Sequence, residues 1–340
     1  MSHDPVADAA AALHYDSYAR LPDGAMLPQT TSQDGIVRMC RMLELEPGMR
    51  VLEIGTGSGY TGALLGRLVG DQGSVVSLDV DSGLVERART KHIQHGIGNV
   101  VVHGGDGYAG WAPGAPYDRI IGWTTPHLVP RRWVEQSADQ AVIVTPVEVA
   151  PIARAHMLLT VDLHHGQPVA RNVCPGGFIE MHTEVITEVS VPIRHRDALY
   201  QTDGRGTVWI SAPALRNDPG NALHAAEMIA SGRSIPNPLG DDHMTSGAFY
   251  GYLYARQPPG LASTGFSGAG PASASGTGLV LIDSAAVLRV QDMFVAGTRH
   301  AEESLRCLFA EWDQDGRPDH SSLRPHLILD PHGFRVGVEF

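Results

Sequence analysis

An α/β fold is predicted here: a doubly wound, Rossmann-like sheet followed by a smaller α+β region. Three observations predict it. The apolar stretch Val51-Leu52-Glu53-Ile54 runs into the glycines Gly55, Gly57 and Gly59, and a helical pattern opens over 61–68. Three further short apolar runs, over 74–78, 99–103 and 117–121, are spaced by helix-length segments, as parallel strands require. From about residue 191 the pattern changes to short strands and turns with few long helical repeats.

Taken in order, residues 5–20 read as a helix and 21–31 as a loop. Positions 34–43 are helical, with Ile36, Val37, Met39, Cys40 and Leu43 apolar. Pro47-Gly48 turns the chain into the first strand. A helix over 84–91 follows the second strand. Strands over 140–144 and 158–163 extend the sheet, and His164-His165-Gly166 reads as a hairpin turn into 169–172. In the second half, 221–231 is a candidate helix with Gly232 as its stop. The Gly-, Ser- and Ala-rich stretch 258–278 reads as a flexible loop or lid. A strand resumes over 279–282, and 326–340 reads as a closing hairpin. Asp313-Gln314-Asp315-Gly316 resembles the start of a calcium loop without its closing glutamate, and so reads as a turn. The division expected is 1–190 and 191–340.

The 340 residues carry a formal net charge of −12 and no basic tract, which argues against nucleic acid as a partner. Cys40, Cys174 and Cys307 are widely spaced and suggest a reducing, cytoplasmic setting. No apolar run is long enough to span a bilayer, so no membrane association is expected, and no secretory signal is evident. The 17 histidines are scattered without ligand spacing, so no metal is expected.

The glycine loop is the main functional signal. A buried strand that breaks into glycines and opens a helix lets a ligand lie against bare backbone, here Gly55, Thr56, Gly57, Ser58 and Gly59. The pattern is G-x-G-x-G, not the dinucleotide G-x-G-x-x-G, and Glu53 would repel a pyrophosphate. A ligand carrying an ammonium and a sulfonium, S-adenosyl-L-methionine, suits that carboxylate better. Asp79, followed by Val80, stands 20 residues past Gly59 at the tip of the second strand, placed for ribose hydroxyls. Asp79 alone also reads as a helix cap. Asp106 and Gly107, in the turn after the third strand, are placed for an adenine amino group, or form only a surface turn.

Together, Val51–Tyr60, Ser77–Asp81, Gly105–Gly107 and Ala115-Pro116-Tyr117-Asp118-Arg119-Ile120-Ile121 resemble protein-L-isoaspartate O-methyltransferases. Gln29-Thr30-Thr31-Ser32 matches that family's Q-T-[IV]-S segment. The resemblance covers about 15–190. It implies a methyltransferase sheet and S-adenosyl-L-methionine as methyl donor, with S-adenosyl-L-homocysteine as product. It also implies a peptide substrate bearing an aspartyl or isoaspartyl carboxylate. The run Gly122-Trp123-Thr124-Thr125-Pro126 departs from the Ala-Ala-Ala-Pro of repair enzymes. It looks more like actinobacterial homologues that carry a C-terminal extension and act on ribosomally made, ring-constrained peptides.

The implied reaction places a carboxylate oxygen on the sulfonium methyl. A carboxylate is already ionised near pH 7, so no general base is needed. By resemblance Thr31 and Ser32 orient it, and Gln29, Trp123 and Thr124 join them at the substrate. Ser32 reads equally as a helix cap, with Asp34 as a rival. Trp123 reads equally as a core residue. Trp111 reads as packing beside the adenine loop, and Arg131 and Arg132 as a solvated helix start rather than as a contact for an acidic peptide. The ester then closes to a succinimide (aspartimide) that opens to aspartate or isoaspartate.

Overall fold

The computed structural model describes residues 4–28, 30–186, 191–202, 206–240, 243–267, 275–289 and 291–340. Two short helices begin it, α1 (Pro5–Ala11) and α2 (Tyr15–Ala19), where one helix over 5–20 was expected. The chain turns at residues 12–14. That turn brings Tyr18 under Tyr60, ring centroids 5.8 Å apart, and over His95 at 4.7 Å, which a straight helix would not do. Helix α3 (Gln33–Met42) leads to β1 (Arg50–Ile54). Then follow α4 (Tyr60–Val69), β2 (Ser74–Asp79), α5 (Ser82–Gln94), β3 (Val100–Gly104) and β4 (Tyr117–Gly122). A two-residue strand β5 (Val129–Pro130) and α6 (Arg131–Glu135) precede the long β6 (Ser137–Glu148), β7 (His156–His164) and β8 (Gln167–Pro175).

The first sheet has the order β3-β2-β1-β4-β6-β7-β8. Its first five strands are parallel, and β7 and β8 continue it antiparallel. The central strands β1 and β4 are buried on both faces, which explains their apolar runs, while Val101 on the edge strand β3 is exposed. The β7–β8 turn places His165 and Gly166 at φ +52° and +74°, the two left-handed positions a tight hairpin needs.

The second half adds β9 (Ala198–Thr202), β10 (Gly206–Ser211), α7 (Pro219–Ala230), β11 (Arg233–Pro236) and α8 (His243–Arg256). These are followed by β12 (Leu261–Ser267), β13 (Gly276–Val280), β14 (Ser284–Leu288), β15 (Asp292–Gly297) and α9 (His300–Gln314). Strands β9 to β15 form an antiparallel sheet of order β11-β15-β14-β13-β12-β10-β9. The stretch 258–278 is therefore not a free loop. Its ends are β12 and β13, and 268–274 lie outside the described residues. The small residues are there for closeness: a Cβ on Gly265 would lie 2.7 Å from the Trp209 ring, and one on Gly278 2.1 Å from the Ala286 carbonyl. Gly232 does stand just past the Ser231 cap of α7, where a stop was expected, but without a left-handed φ. It is small because a Cβ would meet the Phe294 ring at 2.5 Å. Asp313 belongs to the last turn of α9, and Asp315 caps that helix.

The C-terminal hairpin, β16 (Arg324–Asp330) and β17 (Gly333–Glu339), pairs with β5 through Phe334 and Val129. The end of the chain thus grips the run that follows β4. Ala153, in the turn between β6 and β7, donates from its amide to Ser211 Oγ at 2.9 Å and accepts from Ser263 Oγ at 2.7 Å. One apolar cluster unites Ile143, Met157 and Leu159 of the first sheet with Phe249 and Tyr252 of α8 and Phe309 and Trp312 of α9.

Candidate active site

The site starts where β1 and β2 end. Gly55 and Gly57 take φ of +92° and +51°, a conformation that L side chains rarely adopt. The amides of Gly55 and Thr56 donate to the Leu78 carbonyl at 2.8 and 3.1 Å, tying the loop to the tip of β2. Asp79 Oδ2 accepts from the Gly57 amide and Oδ1 from the Asp81 amide, both at 3.0 Å. Asp79 is not the helix cap: Asp81 caps α5, accepting from Gly83 and Leu84. Burial raises the Asp79 carboxyl above the usual range, with the backbone donors opposing it. Gly59 serves packing, since a Cβ would lie 2.9 Å from that of Ala88 on α5.

Glu53 is fully buried, with 0% exposure, and does not line the cleft. Its Oε2 accepts from Ser77 Oγ at 2.6 Å and its Oε1 from Trp123 Nε1 at 3.1 Å. Thr56 Oγ1 lies 2.6 Å from Ser77 Oγ, so a buried chain runs Thr56–Ser77–Glu53–Trp123. Burial pushes the Glu53 carboxyl up to about 7 against the pull of Ser77, Thr61 and Trp123. Asp106 also turns aside, capping the turn at Tyr108 with a 2.9 Å bond. Gly107 does face the cleft, where a Cβ would strike Ile54 at 2.6 Å.

A cleft of about 1070 Å³ connects these groups to the segment 27–32. Gly55, Thr56, Gly57, Ser58, Asp79, Val80 and Gly107 line it, as do Thr31, Ser32, Trp123 and Thr124, and Trp123 and Thr124 come against Gly55 itself, where a Cβ would lie 3.3 and 3.5 Å from them. Gln29 lies outside the described residues. Ser32 caps α3, its Oγ accepting from the Gly35 amide at 3.3 Å, while Asp34 sits in the first turn. Its hydroxyl hydrogen stays available, so cap and carboxylate donor are compatible. The Thr31 carbonyl is held by Tyr15 Oη at 2.6 Å. Trp123 is 8% exposed, with its ring edge-on to Phe178 at 5.8 Å, and serves as both wall and core. Trp111 stacks on His103 at 4.1 Å. Arg132 pairs with Glu135, and Arg131 donates to the Asp330 carbonyl of the C-terminal hairpin.

Beyond Trp123 the structure assembles groups that pattern reading missed. Glu148 accepts from Arg194 Nε at 2.5 Å and pairs with His195 Nε2 at 2.9 Å. Burial works against that carboxylate, yet His195 and Arg194 hold it below the usual range. Arg194 also donates to the carbonyls of Thr125 and Met181. Arg154, His156, Glu180 and His182 line the same end of the cleft. The strands expected over 140–144 and 158–163 stop short of the pairing that sets His156 opposite Glu148, so no sequence signal pointed to it. Among the described residues no group of three His, Cys, Asp or Glu side chains is placed to hold a metal ion, and no helix is long and apolar enough to cross a membrane.

The sheet, the glycine loop and the acid at the tip of β2 define a Rossmann-like methyltransferase. The family model for protein-L-isoaspartate(D-aspartate) O-methyltransferase matches residues 7–181. The chain belongs to that family, whose members are carboxyl O-methyltransferases. It is 42% identical over 132 residues to a protein-L-isoaspartate O-methyltransferase of Ignicoccus hospitalis, covering 38% of this chain and 62% of the relative. It is 38% identical over 172 residues to one of Halorhodospira halophila, covering 50% and 76%. A solved protein-L-isoaspartate O-methyltransferase shares the fold over 99% of this chain and 95% of its own, with a TM-score of 0.52 at 19% identity. The second half therefore also has a counterpart of known fold.

Proposed function

We propose that the chain is an S-adenosyl-L-methionine-dependent carboxyl O-methyltransferase that acts on an aspartyl or isoaspartyl carboxylate in a peptide. The observation that carries this is the cleft itself, which brings the bare-backbone loop and Asp79 into one cavity with Thr31, Ser32 and Trp123. The cofactor fits these residues. Gly57 faces open space, where a Cβ would have no neighbour within 4 Å, and the Asp79 carboxylate keeps acceptor capacity beyond its two backbone donors. When bound, S-adenosyl-L-methionine supplies an electrophilic sulfonium methyl. Asp79 would hold its ribose, and Gly55–Ser58 would lie along its amino-acid portion. Thr31 and Ser32 would donate to the substrate carboxylate, leaving one oxygen free to attack. Alignment of that kind supplies roughly 7–11 kcal/mol of barrier lowering, and no base is required. The ester product closes to a succinimide by attack of the next backbone amide and loss of methanol, a step that needs no protein group.

The narrower reading is a dedicated enzyme for a ring-constrained peptide rather than a general repair enzyme. Two features support it. The run after β4 is held at Val129–Pro130 by the C-terminal hairpin, and residues 191–193 contribute to the cleft wall. The domain pair 1–190 and 191–340 then reads as a methyl-transfer unit and a peptide-recognition unit. Mass spectrometry with S-adenosyl-L-methionine tests both levels, using a linear isoaspartyl peptide and a macrocyclic aspartyl peptide. Gain of a methyl group, or loss of water through the imide, on the cyclic peptide alone establishes the dedicated enzyme. Robust methylation of the linear peptide makes it a repair enzyme, and methylation of neither refutes the proposal.

A further inference from the structure

The cleft does not end at the Trp123 wall. Arg154, His156 and Gly176 line both it and a second chamber of about 300 Å³. The far side of that chamber comes from α8, with Gly247 and Tyr254, and from β12 and β13, with Ser263 and Thr277. Two buried polar atoms of the cleft lining have no hydrogen-bond partner among the described residues: His156 Nε2, on a residue that lines both cavities, and Glu180 Oε1, on one that lines the main cleft. The other oxygen of Glu180 is satisfied, accepting from the amides of Ile193 and Arg194 at 3.1 and 3.2 Å. Native interiors rarely leave such atoms unpaired, because each has given up water without replacement.

The chemistry of this lining narrows what fits. Glu180 is an acceptor and repels an anion. Arg154, which feels the Glu180 charge and packs 5.2 Å over the Trp209 ring, repels a cation. Burial pushes His156 down to about 4, so it is neutral at pH 7, with one nitrogen donating and one accepting. Arg154 already donates to Ser275 Oγ at 3.3 Å, so the unmet demand is that of Glu180 and His156; a neutral group with both a donor and an acceptor meets it, and a peptide backbone offers such groups in series.

We propose that Glu180, His156 and Arg154 form a second binding subsite, taking main-chain amide and carbonyl groups of the peptide that flanks the reacting carboxylate, with the chamber behind them receiving the flanking residues. This rests on the peptide reading above and says where the rest of the peptide goes.

The test uses the full chain with S-adenosyl-L-homocysteine. Dye-labelled, alanine-based isoaspartyl peptides of three and nine residues are titrated by fluorescence anisotropy, with methyl transfer read separately by mass spectrometry. The long peptide should bind about tenfold tighter or more. Glu180→Gln presents an amide N–H₂ where an acceptor stood and should bring the long-to-short ratio near one. Gly247→Leu should do the same by filling the chamber; a Cβ there first meets Pro175, at 4.0 Å, so the helix tolerates it. Melting temperatures report whether each variant folds. A ratio near one in the parent, or a ratio unchanged in both folded variants, overturns the subsite. Length-dependent binding without methyl transfer supports the subsite and refutes the carboxyl methyltransferase reading instead.

Discussion

Replacing Glu53 with glutamine should make the protein more stable at pH 8 and not at pH 5. The carboxyl is raised from its ordinary 4.5 to about 7 because it is fully buried. Ionising it inside the fold therefore costs about 3 kcal/mol more than in the unfolded chain. The sign follows from proton counts. Between pH 4.5 and 7 the folded state holds a proton that the unfolded state has lost, so stability falls as pH rises through that window and stays low above it. The parent's own pH profile hides this, because His156 acts in the opposite direction. Burial lowers it from 6.5 to about 4, so its contribution grows as pH rises from 4 to 6.5. The difference between Glu53→Gln and parent isolates the glutamate. Urea unfolding at pH 5, 6, 7 and 8 should show that difference moving by about 2–3 kcal/mol in favour of the variant as pH rises, part of the full effect being already spent at pH 5. A constant offset, from the changed bonds to Ser77 and Trp123, is expected at every pH. Parallel profiles across the whole range would refute the reasoning.

Asp79→Ala should reduce S-adenosyl-L-homocysteine affinity at least a hundredfold by calorimetry, since two charge-assisted ribose bonds at about 1.5–3 kcal/mol each are lost; retained affinity would sink the cofactor placement. Ser32→Ala should lose about 1 kcal/mol of stability with the cap and should also slow turnover at unchanged cofactor affinity. A loss of stability with normal turnover leaves Ser32 as a cap alone. Gly59→Ala should destabilise by about 1–3 kcal/mol in thermal melts through its φ of +81° and its contact with Ala88, before any ligand is added.

What the sequence made legible was local or nearly so. The glycine loop, the acid at the tip of β2 and the His165-Gly166 turn depend on residues adjacent in the chain, and each appears where its pattern placed it. The orientation of Glu53 was not legible. It is decided by donors on β2 and after β4, so a residue that reads as facing a cation turns away from the cleft. The stretch 258–278 misled for a related reason. Glycine and serine signal freedom when nothing packs on them, but Gly265 and Gly278 are small because Trp209, distant in sequence, and Ala286, on the adjoining strand, come within contact. Glu180 and His156 were invisible because their meaning lies in what they fail to touch, and no motif encodes an unpaired atom.

The second half of the chain cannot be treated as a removable attachment when specificity is tested. Arg194 joins Glu148, Thr125 and Met181, so a segment beyond residue 190 orders the walls of a cleft whose glycine loop lies near residue 55. Ser211 and Ser263 hold the turn before β7, the strand that begins with His156. The C-terminal hairpin holds β5 just after Trp123 and Thr124, and a Cβ on Gly333 would lie 2.1 Å from the Val129 carbonyl, so even that contact demands its glycine. Deleting 191–340 would also strip Phe249, Tyr252, Phe309 and Trp312 from a core shared with Met157 and Leu159. Exposing that much apolar surface unfolds the wall along with the appendage. Loss of activity in a truncated chain would then be uninformative about peptide recognition. Only substitutions that leave the shared core intact, such as those at Glu180 and Gly247, separate recognition from scaffolding.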